Sequence, residues 1–176
     1  IVFTTAQADR NNPQRIARTS IHVMDPAKPE SARVLERIEG GAWGSFRFSE
    51  DGKRLVFLQS VSSSESHVWT MDLATRKRQR ISPIVEGRKV YYGDPYFSAD
   101  GRAIYATSDR AGDFRQLVRL PLGAGRERVL TGHLAYDVDN FEVSYDAGLI
   151  AFVTNESGSH VLRFFDLKTL EELPRP

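Results

Sequence analysis

The sequence predicts an all-β chain built of repeated four-stranded antiparallel units, and three observations carry that prediction. First, one phrase recurs: Phe48-Ser49-Glu50-Asp51-Gly52, Phe97-Ser98-Ala99-Asp100-Gly101 and Val143-Ser144-Tyr145-Asp146-Ala147, each followed by a short apolar run. Its serines are 49 and 46 residues apart, within the span of about 40 to 50 residues per repeat of propeller-like arrays. Second, a further mark keeps register with the first: Asp72 and Asp166 lie 21 and 20 residues after Asp51 and Asp146. Pro121 takes that place 21 residues after Asp100. Third, apolar residues never sustain the spacing of a helical face, so little helix is expected. Four strands per repeat is the blade of a β-propeller, and the chain reads as a propeller fragment of about three and a half four-stranded antiparallel blades.

The elements follow in order. An Asp or Ser side chain can bond nearby amides, and Gly takes the positive φ of a tight reversal, so Ser-x-Asp-Gly joins an inner strand to a second one. The opening residues Ile1-Val2-Phe3-Thr4-Thr5 match Ile150-Ala151-Phe152-Val153-Thr154, which places them on a second strand. The first unit is therefore expected to lack its own beginning, as in a piece of something longer. Polar loops at 60–66, 108–113 and 155–159 then lead into third strands at 68–71, 117–120 and 162–165, with 21–24 in the first unit. Asp72-Leu73-Ala74-Thr75 and Asp166-Leu167-Lys168-Thr169 read as turns into fourth strands at 78–81 and 170–173, with 128–131 as counterpart. The whole chain, 1–176, is one partial propeller with blades at about 1–42 (partial), 43–93, 94–140 and 141–176. Such a set leaves two flanks. Either the rest of a longer chain closes the ring, or two copies pair as a homodimer to complete it.

Composition narrows the functions. Hydrophobic residues make up 40% of the 176, which excludes wholesale disorder. With 24 basic and 23 acidic residues the net charge is +1, so no global field attracts nucleic acid. No apolar run approaches the roughly 18 residues that insert into a membrane. The absence of cysteine removes disulfides, thiol nucleophiles and thiolate metal sites.

The repeat phrase, together with Ser108-Asp109-Arg110-Ala111-Gly112 and the apolar-Asp-Leu turn, resembles the repeat of TolB-type propellers. The same repeat builds the N-terminal propeller of prolyl oligopeptidase family serine peptidases. Asp137-Val138-Asp139-Asn140-Phe141-Glu142-Val143-Ser144, continuing through Ala151-Phe152-Val153-Thr154-Asn155-Glu156, is more similar to bacterial members of the peptidase family than to TolB. Ala147 for Gly, Pro121 for Asp and a first blade without the phrase depart from the pattern. The resemblance implies a propeller that sits over an α/β-hydrolase domain and admits peptides while excluding folded proteins. Its partners would be that hydrolase domain and the peptide substrate, and its residence periplasmic or extracellular. The alternative is a TolB-like protein-binding propeller of the bacterial envelope without enzymatic activity. No Gly-x-Ser-x-Gly elbow occurs in the 176 residues, so catalysis would belong to the other domain. A sialidase is disfavoured because Leu55, Ile104 and Ile150 stand where its box ends in Trp.

Candidate residues carry bland readings beside the sharp ones. Ser49, Ser98 and Ser144 recur with the turn and read as turn caps rather than nucleophiles. His22, His67, His133 and His160 are too scattered for metal-ligand spacing. Arg76-Lys77-Arg78-Gln79-Arg80 reads as a charged edge that keeps a strand from pairing elsewhere. Trp69, and Trp43 near Gly40-Gly41, read as core. No catalytic, cofactor or metal site is expected. Asp137, Asp139 and Glu142 form an acidic cluster in a link between blades, and Tyr91, Tyr92 and Asp94 occupy the equivalent link one blade earlier. Those six are the recognition candidates, with inter-blade hydrogen bonding as their ordinary alternative. Calcium at the acidic cluster would lack a dedicated Asp-x-Asp-x-Asp loop.

Overall fold

The computed structural model describes residues 1–12, 16–39 and 42–175. Gly40, Gly41 and Pro176 lie outside the described residues. Every regular element described is a strand: β1 (Val2–Ala8), β2 (Ile16–Asp25), β3 (Lys28–Glu39), β4 (Ala42–Phe48), β5 (Arg54–Ser62), β6 (Glu65–Asp72), β7 (Arg78–Arg80), β8 (Tyr92–Phe97), β9 (Ala103–Ser108), β10 (Gln116–Pro121), β11 (Arg128–Val129), β12 (Val138–Ser144), β13 (Leu149–Glu156) and β14 (Ser159–Asp166). They form four antiparallel sheets in chain order: β1-β2-β3, β4-β5-β6-β7, β8-β9-β10-β11 and β12-β13-β14. This is the series of antiparallel blades expected of an all-β propeller fragment, with the repeat phrase between the first two strands of the second, third and fourth sheets. The chain divides into two compact units, Ile1–Ile84 and Val85–Pro176, each holding two sheets.

The first two copies of the phrase make the same turn. Ser49 Oγ donates to Asp51 Oδ1 (2.6 Å) and accepts from the Arg54 amide (3.0 Å), while Gly52 takes φ 66°. Ser98 Oγ does likewise with Asp100 Oδ1 (2.6 Å) and the Ala103 amide (2.9 Å), and Gly101 takes φ 64°. Both serines are buried. The hydroxyl, and then the amides of Lys53 and Arg102, hold the Asp51 and Asp100 carboxyls below their ordinary value. The third copy departs because Gly148, not residue 147, takes the positive φ (65°). Ser144 then pairs with Leu149 as strand, is exposed, and its hydroxyl reaches only the Ala147 amide at 3.4 Å. Turn capping thus holds for Ser49 and Ser98 and weakens at Ser144.

The second turn is common to β6 and β14. Asp72 Oδ1 accepts from the Thr75 amide (2.7 Å), and Asp166 Oδ1 from that of Thr169 (2.8 Å). Arg76 and Leu170 follow in the left-handed region, at φ 59° and 56°, each amide bonded to the carbonyl of its Asp at 2.8 Å.

Fourth strands are shorter than expected. β7 ends at Arg80 and β11 at Val129, and the one expected at 170–173 is a single bridge between Phe165 and Glu172. The first sheet instead carries a long fourth strand, β3, that its sequence did not announce.

Each unit buries a core between its two sheets. In the first, Ile21, Leu35 and Ile38 pack against Trp43, Leu55, Phe57 and Met71. Trp43 lies 5.9 Å from both Phe57 and Trp69, tilted in each case. Trp69 is half-buried with its Nε1 donating to Gln59 Oε1 at 3.1 Å. In the second, Tyr96, Tyr105, Leu117 and Leu130 meet Val138, Phe141, Ile150, Phe152 and Phe165. Burying such aromatics is worth about 1.5–3 kcal/mol each, and tilted or offset ring pairs add to it.

Candidate recognition surface

In the second unit the link before β8, the β9–β10 loop and the link before β12 gather at one end of the strands. The loop acts as a clasp. Asp109 Oδ1, at its start, accepts from the Tyr91 amide (2.9 Å), and Arg88 donates to the carbonyls of Asp109 (2.7 Å) and Arg110 (3.2 Å). Arg115, at its end, donates its amide to Asp137 Oδ1 (2.7 Å), and its carbonyl accepts from the Val138 amide (2.8 Å). Two successive links are therefore tied to one loop. The Arg115 guanidinium lies 4.6 Å above the Tyr91 ring, a contact worth about 0.5–1 kcal/mol at an exposed site. Burial pushes the Tyr91 phenol above its ordinary value while Arg115 opposes the shift, so the hydroxyl stays a neutral donor. A side chain at Gly93 would bring Cβ within 2.6 Å of the Tyr91 hydroxyl and 2.7 Å of Thr107 Oγ1. Glycine there is what admits the tyrosine.

Among the six candidates, Tyr91, Asp94 and Asp137 lie around this clasp, with Asp94 in the left-handed region at φ 43°. Four of the six correct the sequence reading by lying on strands rather than in links: Tyr92, which begins β8 and is only 1% exposed, and Asp94 on β8, and Asp139 and Glu142 on β12. Asp139 sits on β12 and approaches His160 Nε2 at 3.4 Å, both side chains open to solvent. Glu142 accepts from the Tyr96 hydroxyl, joining β12 to β8. The acidic cluster is thus dispersed over three different partners: an amide, a histidine and a phenol.

Sequence reasoning missed Arg88 and Arg115, which look like ordinary charged loop residues until the strand pairing fixes what they reach. It also missed Arg163, whose side chain is 6% exposed on β14. Its guanidinium donates to Glu156 Oε1 (2.5 Å) and Glu172 Oε1 (2.6 Å), and Glu172 Oε2 meets His133 Nε2 at 2.7 Å. Burial works against the Arg163 charge, but the two carboxylates outweigh it and raise its pKa. Arg163 in turn holds the Glu156 carboxyl below its ordinary value. This network fastens the short 171–173 segment and the 130–137 link to β14. It is fully paired, and its arrangement is that of a brace rather than an acid–base pair.

Fold and repeats together define a TolB-like β-propeller. TolB from Acinetobacter baumannii is 27% identical, matching 95% of this chain and 42% of its own with a TM-score of 0.68. A Mycobacterium tuberculosis puromycin-hydrolyzing peptidase is 17% identical over 98% of this chain and 28% of its own (TM-score 0.69). Prolyl oligopeptidase B from Galerina marginata, solved bound to a 25mer macrocyclization substrate, is 13% identical over 99% and 25% (TM-score 0.69). The chain thus spans less than half the length of each of these structures. No family model and no curated protein matches it.

Proposed function

We propose that this chain is the non-catalytic propeller portion of a prolyl oligopeptidase family serine peptidase, and that it selects peptide substrates for a hydrolase domain outside residues 1–176. The observation that carries the reading is the clasp: an aromatic ring, a cation above it and carboxylates beside it, held where two links and a loop converge. Tyrosine and arginine supply rigid contact area with donors for carbonyl and carboxylate groups, which suits peptide recognition. The Asp137–Glu156 segment supports the peptidase assignment in particular. The test is a specificity ratio measured on the full protein. Arg115→Ala and Tyr91→Ala are expected to lower kcat/KM for a ten-residue peptide about fivefold more than for a two-residue one. An unchanged ratio overturns selection at the clasp.

The second reading is a TolB-like protein-binding propeller of the envelope, favoured by the 27% identity to TolB. The reading frame of the full protein separates the two: a Gly-x-Ser-x-Gly elbow beyond residue 176 supports the peptidase, and its absence the TolB-like protein.

A further inference from the structure

A cleft of about 420 Å³ opens between the third and fourth sheets at the end opposite the clasp, beside the turn that carries Asp100. Its floor is a row set by strand register. Tyr105 on β9 pairs with Arg119 on β10, and Arg119 pairs with Arg128 on β11, so the three side chains stand abreast on one face. Lys168 and Leu170, from the turn after β14, form the facing wall.

Like charges directly opposed across a strand pair are unfavourable, and here two arginines oppose each other with a lysine facing them. Among the described residues none of the three forms an ion pair with a carboxylate. The one acid of the lining, Asp100, accepts from Ser98 Oγ (2.6 Å) and the Arg102 amide (3.0 Å) and feels Arg119 at longer range, leaving Arg128 and Lys168 without a carboxylate of the lining that is not already hydrogen-bonded. The fold does not require a cation at Arg119, and at Arg128 one of the other two sheets keeps an arginine while the other has glutamine. At the same register the first sheet has Val2, Val23 and Arg33, and the second has Val56, Thr70 and Gln79. The Tyr105 hydroxyl, raised by burial and still protonated, adds a neutral donor at the inner end of the row. The volume lies within the range of small-ligand pockets, about 300–1,000 Å³. Arginine forks match carboxylate oxygens two by two, and Leu170 offers apolar contact beside them.

We propose that this cleft is a binding site for a small carboxylate carried on an apolar body, its oxygens held by Arg119, Arg128 and Lys168 and its apolar part set against Leu170. Isothermal titration calorimetry on the full protein tests it, with N-acetyl-leucine as carboxylate probe, N-acetyl-leucinamide as its neutral counterpart and inorganic phosphate as a bare anion. N-acetyl-leucine is expected to bind at least about tenfold more tightly than either of the others. Arg128→Gln and Lys168→Gln, both at exposed positions, are expected to weaken it about tenfold each while leaving the melting curve in place. Equal binding of the amide, phosphate binding as tight as N-acetyl-leucine, or unchanged affinity in both variants would overturn the proposal.

Discussion

Two clefts occupy the same place in their respective pairs of sheets and differ in charge. In the first unit, a cleft of about 310 Å³ runs along β2 and β3 beside the turn of the next sheet, lined by Val23, Leu35, Phe48 and Leu73 together with one acid and one arginine, Asp25 and Arg33. In the second, Arg119 takes the place of Val23, Arg128 that of Arg33 and Leu167 that of Leu73, and Lys168 adds a further cation. Strand register makes the match residue by residue: Val2, Val23, Arg33 against Tyr105, Arg119, Arg128. Backbone pairing demands only that each position present a side chain to the cleft. Where repeats agree, as at the turn leucines, packing dictates the residue; where they diverge from apolar to charged, packing does not.

Arg163 is the strongest test of that distinction. It stands where Trp69 and Val118 stand in the second and third sheets, and Val118 is fully buried. Arg163→Gln would leave Glu156 with only the more distant Arg175 (3.7 Å) and Glu172 with only His133 (2.7 Å). The expected loss is about 2 kcal/mol by urea unfolding, below the roughly 3–5 kcal/mol of a fully buried pair because both carboxylates keep some solvent. The pH dependence has a definite sign. Glu156 titrates below its ordinary value when folded, so its contribution is complete above the unfolded carboxyl pKa and is lost as pH falls through the folded one. Stability of the variant at neutral pH should therefore lie closer to that at acidic pH than in the parent.

The turn serines rank next. Ser98→Ala removes a buried hydroxyl that serves both Asp100 and the Ala103 amide, and about 1–2 kcal/mol should go with it. Ser144→Ala, at the exposed and differently folded third copy, should cost less than about 0.5 kcal/mol. Equal costs would show that the displaced glycine does not alter the turn. The smallest effect is expected in the cationic row itself. Arg119→Val copies the first cleft into the second, relieves the opposition to Arg128 and should change stability by only a few tenths of a kcal/mol, in the stabilising direction. A loss above about 1 kcal/mol would mark Arg119 as a packing residue.

Much of this was legible in the chain because turns are local. Ser-x-Asp-Gly and Asp-x-x-Thr settle their own backbone within six residues, and the apolar runs between them alternate or bury completely. β3 was not legible because its residues 28–33 are exposed on both faces and offer no alternation. The short fourth strands, Arg78–Arg80 and Arg128–Val129, are edges with one partner each, as is the longer β3. Tyr92 was placed in a link because Tyr91-Tyr92-Gly93-Asp94 carries turn-like residues, yet β8 begins there and turns the ring into the core. Within the clasp, Tyr91 and Asp137 were visible as types. Their partners Asp109 and Arg115 lie 18 and 22 residues away, and only strand pairing brings them together.

The central claim is that these blades select for chemistry done elsewhere in the same protein. Labelling the full protein with a fluorophosphonate, which reacts with activated serines, tests it most directly. The account predicts one labelled serine beyond residue 176 and none within 1–176; an unlabelled protein, or a label on a serine of the blades, would contradict it.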